Sequence, residues 1–319
     1  MKIAILCPAE IANRRFLPSL AHIEEASFAG ISYHTKKEEA ARLAKDFGGM
    51  LFDDPDALVT SPEVDAVYIP AVPAQHYTWA MKALAAGKHV MMEKPFTVTY
   101  EQAALLADTA RTKGLALHEN FTFLYHKQLR EIEEILKEGR IGDIRFYRLA
   151  FCFPGRPAGD FRYRKEDGGG AFLDAGCYTI RLGLRLLGES ARIVHCALDR
   201  PADSAVDTGG TAVMQNDEGL TAQLAFGMDH FYRCALEAEG SKGMLTTGRI
   251  FTAPDDHTPE ALISLQNKEE RVALSPDPSF ANSIRHFLRC TKDASLREET
   301  ARGILRQASL MQQAKDLAS

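Results

Sequence analysis

The stretch from Asp65 to Pro95, DAVYIPAVPAQHYTWAMKALAAGKHVMMEKP, decides how the first part of the chain folds. Ala66 to Ile69 is an apolar run of the kind buried on both faces of a parallel sheet. His76 to Ala86 follows with Trp79, Ala80, Ala83 and Leu84 on one helical stripe, and Gly87 stands at the C′ position. His89 to Met92 is a second apolar run. Strand, helix and strand at this spacing predict a right-handed crossover between two parallel strands.

The same rhythm extends in both directions. Lys2 to Leu6 is a buried-strand run followed at once by a helical stretch. Phe28 to Tyr33 is a further strand, and Glu38 to Phe47 a helix that stops at Gly48-Gly49. Thr99-Tyr-Glu-Gln102 is a capping box that opens a helix running to Gly114, ahead of a strand at Leu115 to His118. Residues 1–120 are therefore expected to form a dinucleotide-binding Rossmann domain, a doubly wound parallel sheet in the α/β class.

Past residue 120 the pattern changes. A helix over about 126–138 leads to Ile144–Phe153, where Tyr147, Leu149, Phe151 and Phe153 alternate as on a half-buried strand. A helix near 174–187 ends at Gly188. Strands are expected at about 192–198, 208–215, 220–228, 233–239 and 244–247, with hairpins at Asn216-Asp-Glu-Gly219 and Gly240-Ser-Lys-Gly243. Helices over about 279–290 and 298–317 close the chain. Residues 121–319 thus read as an α+β domain with a mainly antiparallel sheet.

Composition narrows the function. The 319 residues carry a formal charge of −5, with 45% apolar and 25% charged residues, as an ordinary globular protein does. Lys and Arg are spread along the chain, so neither a nucleic acid nor a membrane surface is an expected partner. No run approaches the ~18 apolar residues of a membrane span. The six cysteines lie far apart, without metal-finger spacing. They read as thiols in a reducing compartment, the cytoplasm, and no metal is expected.

Four segments have the chemistry of a site. Between the first strand and first helix, where dinucleotide domains carry G-x-G-x-x-G/A, stands Cys7-Pro8-Ala9-Glu10-Ile11-Ala12. The first two glycines are replaced by small side chains, and the third position is the permitted alanine. A non-glycine residue forced into a left-handed conformation there costs about 1–2 kcal/mol. Cofactor affinity is then expected to fall about ten- to thirtyfold without being abolished. The second strand ends Tyr33-His34-Thr35-Lys36-Lys37, with cations in place of the acid that takes NAD ribose hydroxyls. That favours NADP(H) over NAD(H).

Lys94 stands at the carboxyl end of a parallel strand, where ligands bind in open sheets, and Pro95 keeps it extended. Further on, Gly168-Gly-Gly-Ala-Phe-Leu-Asp174-Ala-Gly-Cys-Tyr178 is a glycine-rich loop entering a helix, with Asp174 and Tyr178 four apart on one face. A phenol beside a cation is suited to protonate a carbonyl that becomes an alcohol. Taken singly, Lys94 also reads as a surface cation, Tyr178 as a core aromatic, and His76 and His126 as packed or capping histidines.

Together, Asp65–His76, Ala85-Ala-Gly-Lys-His-Val-Met-Met-Glu93-Lys94-Pro95 and Gly168–Tyr178 resemble the Gfo/Idh/MocA family of NAD(P)-dependent oxidoreductases over nearly the whole chain. The resemblance implies a Rossmann domain with an open-faced α/β partner and a homodimer or homotetramer. It implies catalytic roles for Lys94, Asp174 and Tyr178. Cofactor contacts are implied at Cys7, Ala9, Glu10, Ile11, Ala12, His34, Lys37, Pro73, His76, Glu93 and Lys94, and substrate contacts at Asn120, Arg162 and Tyr163. Arg162 and Arg164 are candidates to meet a substrate phosphate, and read equally well as surface arginines ahead of the loop.

Polyol dehydrogenases of the inositol type carry His at the place of Tyr178. Tyr there looks like the branch that contains dihydrodiol dehydrogenases, glucose–fructose oxidoreductase and nucleotide-sugar 3-ketoreductases, and Glu119-Asn120, Phe123–His126, Phe161–Tyr163 and Phe226–Tyr232 lean toward the ketoreductases. Three activities follow from the resemblance. The first is reduction of a nucleotide-linked keto sugar. The second is oxidation of a free sugar, polyol or dihydrodiol. The third is ligand sensing without turnover, for which the missing glycines argue.

Overall fold

The computed structural model describes residues 1–318, which divide into two compact units. The first comprises Met1–Phe121 with Phe280–Ala308, and the second Thr122–Ser279 with residues 309–318. The sequence reading placed everything beyond residue 120 in one second domain. Residues 280–308 instead pack with the first unit, because Phe280, Ile284 and Phe287 form an apolar stripe that shares a core with Ile3, Ile5, Phe16 and Tyr68.

In the first unit the strands are β1 (Lys2–Ile5), β2 (Ser27–Ser32), β3 (Met50–Phe52), β4 (Ala66–Ile69), β5 (His89–Met92) and β6 (Leu117–Glu119). They pair in parallel in the order β3-β2-β1-β4-β5-β6. The crossover helices are α1 (Leu17–Leu20), which continues a π-helical turn at Ala12–Phe16, then α2 (Lys37–Phe47), α3 (Pro55–Thr60), α4 (Pro73–Ala85) and α5 (Tyr100–Lys113). One face of the sheet, with Val67, Ile69, Val90 and Met92, is covered by Trp79, Leu84 and Leu106. The other carries Ile3, Ile5 and Met91 under Phe16 and Leu43. Each such large side chain contributes about 1.5–3 kcal/mol on burial. Strand order turns between β1 and β4, so the loops after them diverge and leave the crevice in which open sheets bind ligands.

The helix ends follow local chemistry. α2 and α5 stop at Gly48 and Gly114, both left-handed, and the Thr99 hydroxyl accepts from the Gln102 amide at 3.3 Å. α4 begins three residues earlier than the apolar stripe indicates, because Pro73 occupies the first turn, where a missing N–H costs nothing.

The second unit holds α6 (Lys127–Lys137), β7 (Ile144–Phe153), α7 (Cys177–Leu187), β8 (Arg192–Asp199), β9 (Gly209–Gln215), β10 (Thr221–Met228), β11 (Arg233–Gly240), β12 (Gly243–Gly248), β13 (Glu260–Leu265) and β14 (Lys268–Ala273). Their order is β14-β13-β12-β11-β7-β10-β9-β8. Only β7 and β10 pair in parallel; the remaining neighbours are antiparallel. The chain closes with α8 (Ser279–Lys292) and α9 (Ala294–Leu317). Among the described residues no helix is long and apolar enough to cross a membrane, and no group of His, Cys, Asp or Glu could hold a metal ion.

Candidate active site

At the end of β1 the chain passes through Cys7 and Ala9, both partly accessible, into the first helix. The Ala9 carbonyl accepts the first helical bond, from Asn13 N–H at 3.2 Å. The amides of Glu10, Ile11 and Ala12 therefore belong to the first turn, which has no intrahelical acceptors for them. The Glu10 carboxylate turns to Arg14 at 2.5 Å, in an ion pair open to solvent. Ser32 Oγ donates to Leu6 O at 2.5 Å and ties the end of β2 to the end of β1.

Neither Cys7 nor Ala9 adopts a positive φ; among the described non-glycine residues only Asp229 and Arg249 do. The strain expected from losing the glycines is thus absent, because the turn is built without left-handed residues. Burial pushes the Cys7 thiol up to about 11, with the Lys36 charge opposing it.

Past β2, His34 and Lys37 are exposed. The His34 ring lies 5.6 Å from that of Trp79, and Lys37 sits over the Tyr33 ring at 5.6 Å. The nearby carboxylate Asp53 accepts from the Tyr33 hydroxyl at 3.1 Å.

Glu93 and Lys94 follow β5 directly, and the Lys94–Pro95 peptide is cis. Glu93 Oε1 accepts from the Tyr68 hydroxyl at 2.7 Å and from Asn120 Nδ2 at 2.6 Å. Burial pushes the Glu93 carboxyl up, opposed by these two donors and by the Lys94 charge and backbone N–H. Below the Pro95 turn, His76 is wholly buried, with Nδ1 2.9 Å from Pro95 O and Nε2 2.9 Å from Ala71 O. A ring with no exposed surface and both nitrogens on backbone carbonyls shapes the segment around Lys94; it does not offer a surface to a cofactor. Ala12 and Pro73 are buried in the same way and act through the backbone course they set.

The glycine-rich run of the second unit is dictated by close approach. A Cβ at Gly169 would lie 2.4 Å from Arg162 O, and one at Gly170, whose φ is +112°, would lie 2.5 Å from Asp207 Oδ1. Asp207, buried, accepts from Phe172 N–H at 2.6 Å and so opens the helix. A π-helical turn over Phe172–Gly176 presents Asp174 before α7 begins, an irregularity that recurs at functional sites.

Arg162 Nε donates to Asp174 Oδ2 at 2.6 Å, and its Nη1 reaches Asp160 at 3.2 Å. The Tyr178 ring packs among Phe123, Phe151 and Phe251, with centroids 6.0, 5.0 and 5.7 Å away. The Tyr163 hydroxyl donates to Asp229 Oδ1 at 2.7 Å and accepts from Arg156 N–H at 2.9 Å.

Two groupings result. Lys94 shares the first unit with Glu93, Asn120 and His76, while Asp174, Tyr178 and Arg162 are gathered in the second. Arg162 and Tyr163, expected to meet substrate, spend their polar atoms on Asp174, Asp160, Asp229 and the backbone. Arg164 is taken by Asp167 and Gly159 O. Asp207 and Tyr68 escaped the sequence reading. Asp207 lies in an irregular connection, and Tyr68 reads as one more apolar residue of a buried strand. His126 caps α6, accepting from Gln128 N–H at 3.1 Å.

The sequence matches the model of the oxidoreductase family with NAD-binding Rossmann fold over residues 2–121, and that of the GFO/IDH/MocA C-terminal domain over residues 129–246. The chain belongs to the Gfo/Idh/MocA family. It is therefore an oxidoreductase, with the two-part architecture described above. This Gfo/Idh/MocA chain is 39% identical, over 98% of its length and 93% of the relative's, to a dTDP-3,4-didehydro-2,6-dideoxy-alpha-D-glucose 3-reductase of Actinomadura kijaniata. A reductase of the same name from Streptomyces antibioticus is 36% identical, over 100% of this chain and 97% of the relative.

The crystal structure of KijD10, a 3-ketoreductase from Actinomadura kijaniata in complex with NADP and TDP-benzene, superposes with a TM-score of 0.95 at 38% identity. It covers 99% of this chain and 97% of that one. KijD10 has also been solved with a Tyr→Phe and with a Lys→Ala substitution. The two substituted residues are separated along its chain as Tyr178 and Lys94 are here.

Proposed function

We propose that this protein reduces the 3-keto group of a nucleotide-linked, dTDP-type keto sugar with NADPH. The observation that carries the reading is its likeness over the full length to 3-ketoreductases, together with the shared separation of Lys94 and Tyr178. A free sugar, polyol or dihydrodiol is less well supported, since the relatives at 36–39% identity bear the name of a dTDP-sugar reductase.

The residues present fit NADP(H). Three first-turn amides and a small, unstrained loop suit a pyrophosphate. Exposed His34, Lys36 and Lys37 suit a 2′-phosphate, although Lys36 also pairs with Glu39 at 3.6 Å, and Asp53 is engaged by Tyr33. The chemistry a bound nicotinamide supplies is a hydride to the carbonyl carbon. Tyr178 gives the proton that the new alkoxide takes, its ring held by three aromatic neighbours. Lys94 holds the carbonyl oxygen, and its charge stabilises the developing oxyanion. Asp174 orients a sugar hydroxyl, and Arg162 holds Asp174. Asn120 faces Glu93 and steadies the segment that carries Lys94.

Six free cysteines support a cytoplasmic location, and the family resemblance a homodimer or homotetramer. A strictly monomeric mass by light scattering overturns the latter. The activity itself is tested by following NADPH consumption with a dTDP-linked 3-keto sugar and with the same sugar lacking the nucleotide. The reading requires a kcat/KM at least a hundredfold higher for the linked sugar. Equal values for the two return the substrate to a free sugar.

A further inference from the structure

Behind Lys94 lies a chain of buried polar groups whose ends are far apart in sequence. His118, Asn120 and Ser283 are each no more than 2% exposed, and Ser283 comes from α8, in the part of the chain after the second unit's sheet. Ser283 Oγ donates to Asn120 Oδ1 at 2.8 Å, and Asn120 Nδ2 donates to Glu93 Oε1 at 2.6 Å. His118 Nε2 lies 2.8 Å from Ser283 Oγ.

The directions are forced. A carboxylate only accepts, so the amide nitrogen of Asn120 faces Glu93 and its oxygen faces Ser283. The hydroxyl proton of Ser283 is then committed to Asn120, which leaves its lone pairs for the His118 N–H. Every donor in the chain points toward Glu93, an arrangement in which each bond polarises the next. A second donor, the Tyr68 hydroxyl, converges on the same oxygen at 2.7 Å, from a ring stacked on Phe16 with centroids 4.0 Å apart.

Packing alone does not require this. Most of α8 that faces the sheet is apolar, with Phe280, Ile284 and Phe287 in the core, and the fully buried Ser283 is a polar exception on it. A hydroxyl there serves the polar chain. We infer that Ser283 is a positioning residue for Lys94, acting through Asn120 and Glu93. Ser283 fixes the Asn120 amide, Asn120 fixes one carboxylate oxygen, and the carboxylate holds the residue next to it against the end of β5. The inference rests on the reading in which Lys94 acts on the substrate carbonyl.

The test compares wild type, Ser283→Ala, Ser283→Cys, Tyr68→Phe and Lys94→Ala. It measures kcat and KM, with NADPH affinity read separately by nicotinamide fluorescence. Ser283→Ala is expected to lower kcat five- to fiftyfold, with KM and NADPH affinity within threefold of wild type. Ser283→Cys should show a smaller loss in the same direction, and it decides the matter if the alanine variant does not fold.

Tyr68→Phe removes the other donor to Glu93 while keeping the ring, and should lower kcat in the same direction with KM and NADPH affinity within threefold of wild type. A folded Ser283→Ala or Ser283→Cys protein with unchanged kcat, beside an inactive Lys94→Ala, overturns the relay alone. An active Lys94→Ala protein overturns the role of Lys94 and the relay with it.

Discussion

The Arg162 guanidinium grips the Asp174 carboxylate, Nε to Oδ2 at 2.6 Å, with both side chains mostly shielded from solvent. The bond locks the π-helical turn to the loop that precedes the glycine-rich run. Burial disfavours the Arg162 charge, but Asp174 and Asp160 together outweigh it and the guanidinium is held above its ordinary range. Arg162→Ala leaves two carboxylates without their cation, and a loss of about 2–4 kcal/mol in unfolding free energy is expected. Arg162→Lys keeps the charge but not the fork, so a denaturant titration should place it between the two.

Tyr178 separates catalysis from stability. Its ring is packed by Phe123, Phe151 and Phe251, and Tyr178→Phe keeps that packing. The variant is expected to lose about 10²–10⁴ in kcat while its melting temperature changes little. A loss below threefold, with the chemical step shown to be rate-limiting, removes Tyr178 as the proton donor.

Cys7 tests the glycine-poor loop. Because its φ is not left-handed, restoring glycine relieves no strain. Cys7→Gly is expected to change the NADPH dissociation constant by less than threefold, measured by nicotinamide fluorescence. A tenfold tightening would mean that the side chain itself obstructs the pyrophosphate. With its thiol pushed up to about 11, Cys7 should also resist alkylation at pH 8.

His286 gives the first unit a stability that depends on pH. Its Nε2 hydrogen bonds to Thr300 Oγ1 at 3.1 Å, and its Nδ1 accepts from Arg289 at 3.3 Å, so the neutral ring is fully used. Burial first, then the Arg289 charge, lower it to about 4. The unfolded chain binds the proton near 6.5 while the folded one does not. This contribution is therefore complete above about pH 6.5 and is lost as pH falls toward 4. The loss should reach about 1–3 kcal/mol. Unfolding midpoints of His286→Gln measured from pH 7.5 to 4.5 should fall less steeply than those of wild type.

The parallel sheet was legible because each of its longer strands is an apolar run bounded by a helix with its own stop, as with Val67–Ile69, Trp79–Leu84 and Gly87. β13 and β14 were not legible. In Lys268–Ala273 the strand is an edge whose exposed alternate residues are charged, so periodicity gives no apolar stripe to read. Lys94, Asp174 and Tyr178 stood out because glycine and proline punctuate their neighbourhoods. Their supports did not: Asp207, Ser283 and Tyr68 reach the site through tertiary contact, and nothing in their flanking residues marks a polar role. The partners of Arg162 were hidden for the same reason. Asp174 is twelve residues away, across a loop whose course is set by the approach of Gly169 to the Arg162 carbonyl.

The central claim is hydride delivery to a nucleotide-linked sugar ketone. The direct measurement is turnover of a dTDP-linked 3-keto sugar with NADPH deuterated at the transferring position of the nicotinamide, followed by mass and NMR analysis of the product. The account predicts one deuterium at the former carbonyl carbon and one new hydroxyl, with the label lost from the cofactor. A product without deuterium at that carbon, or a cofactor that stays reduced while the sugar is untouched, would contradict it.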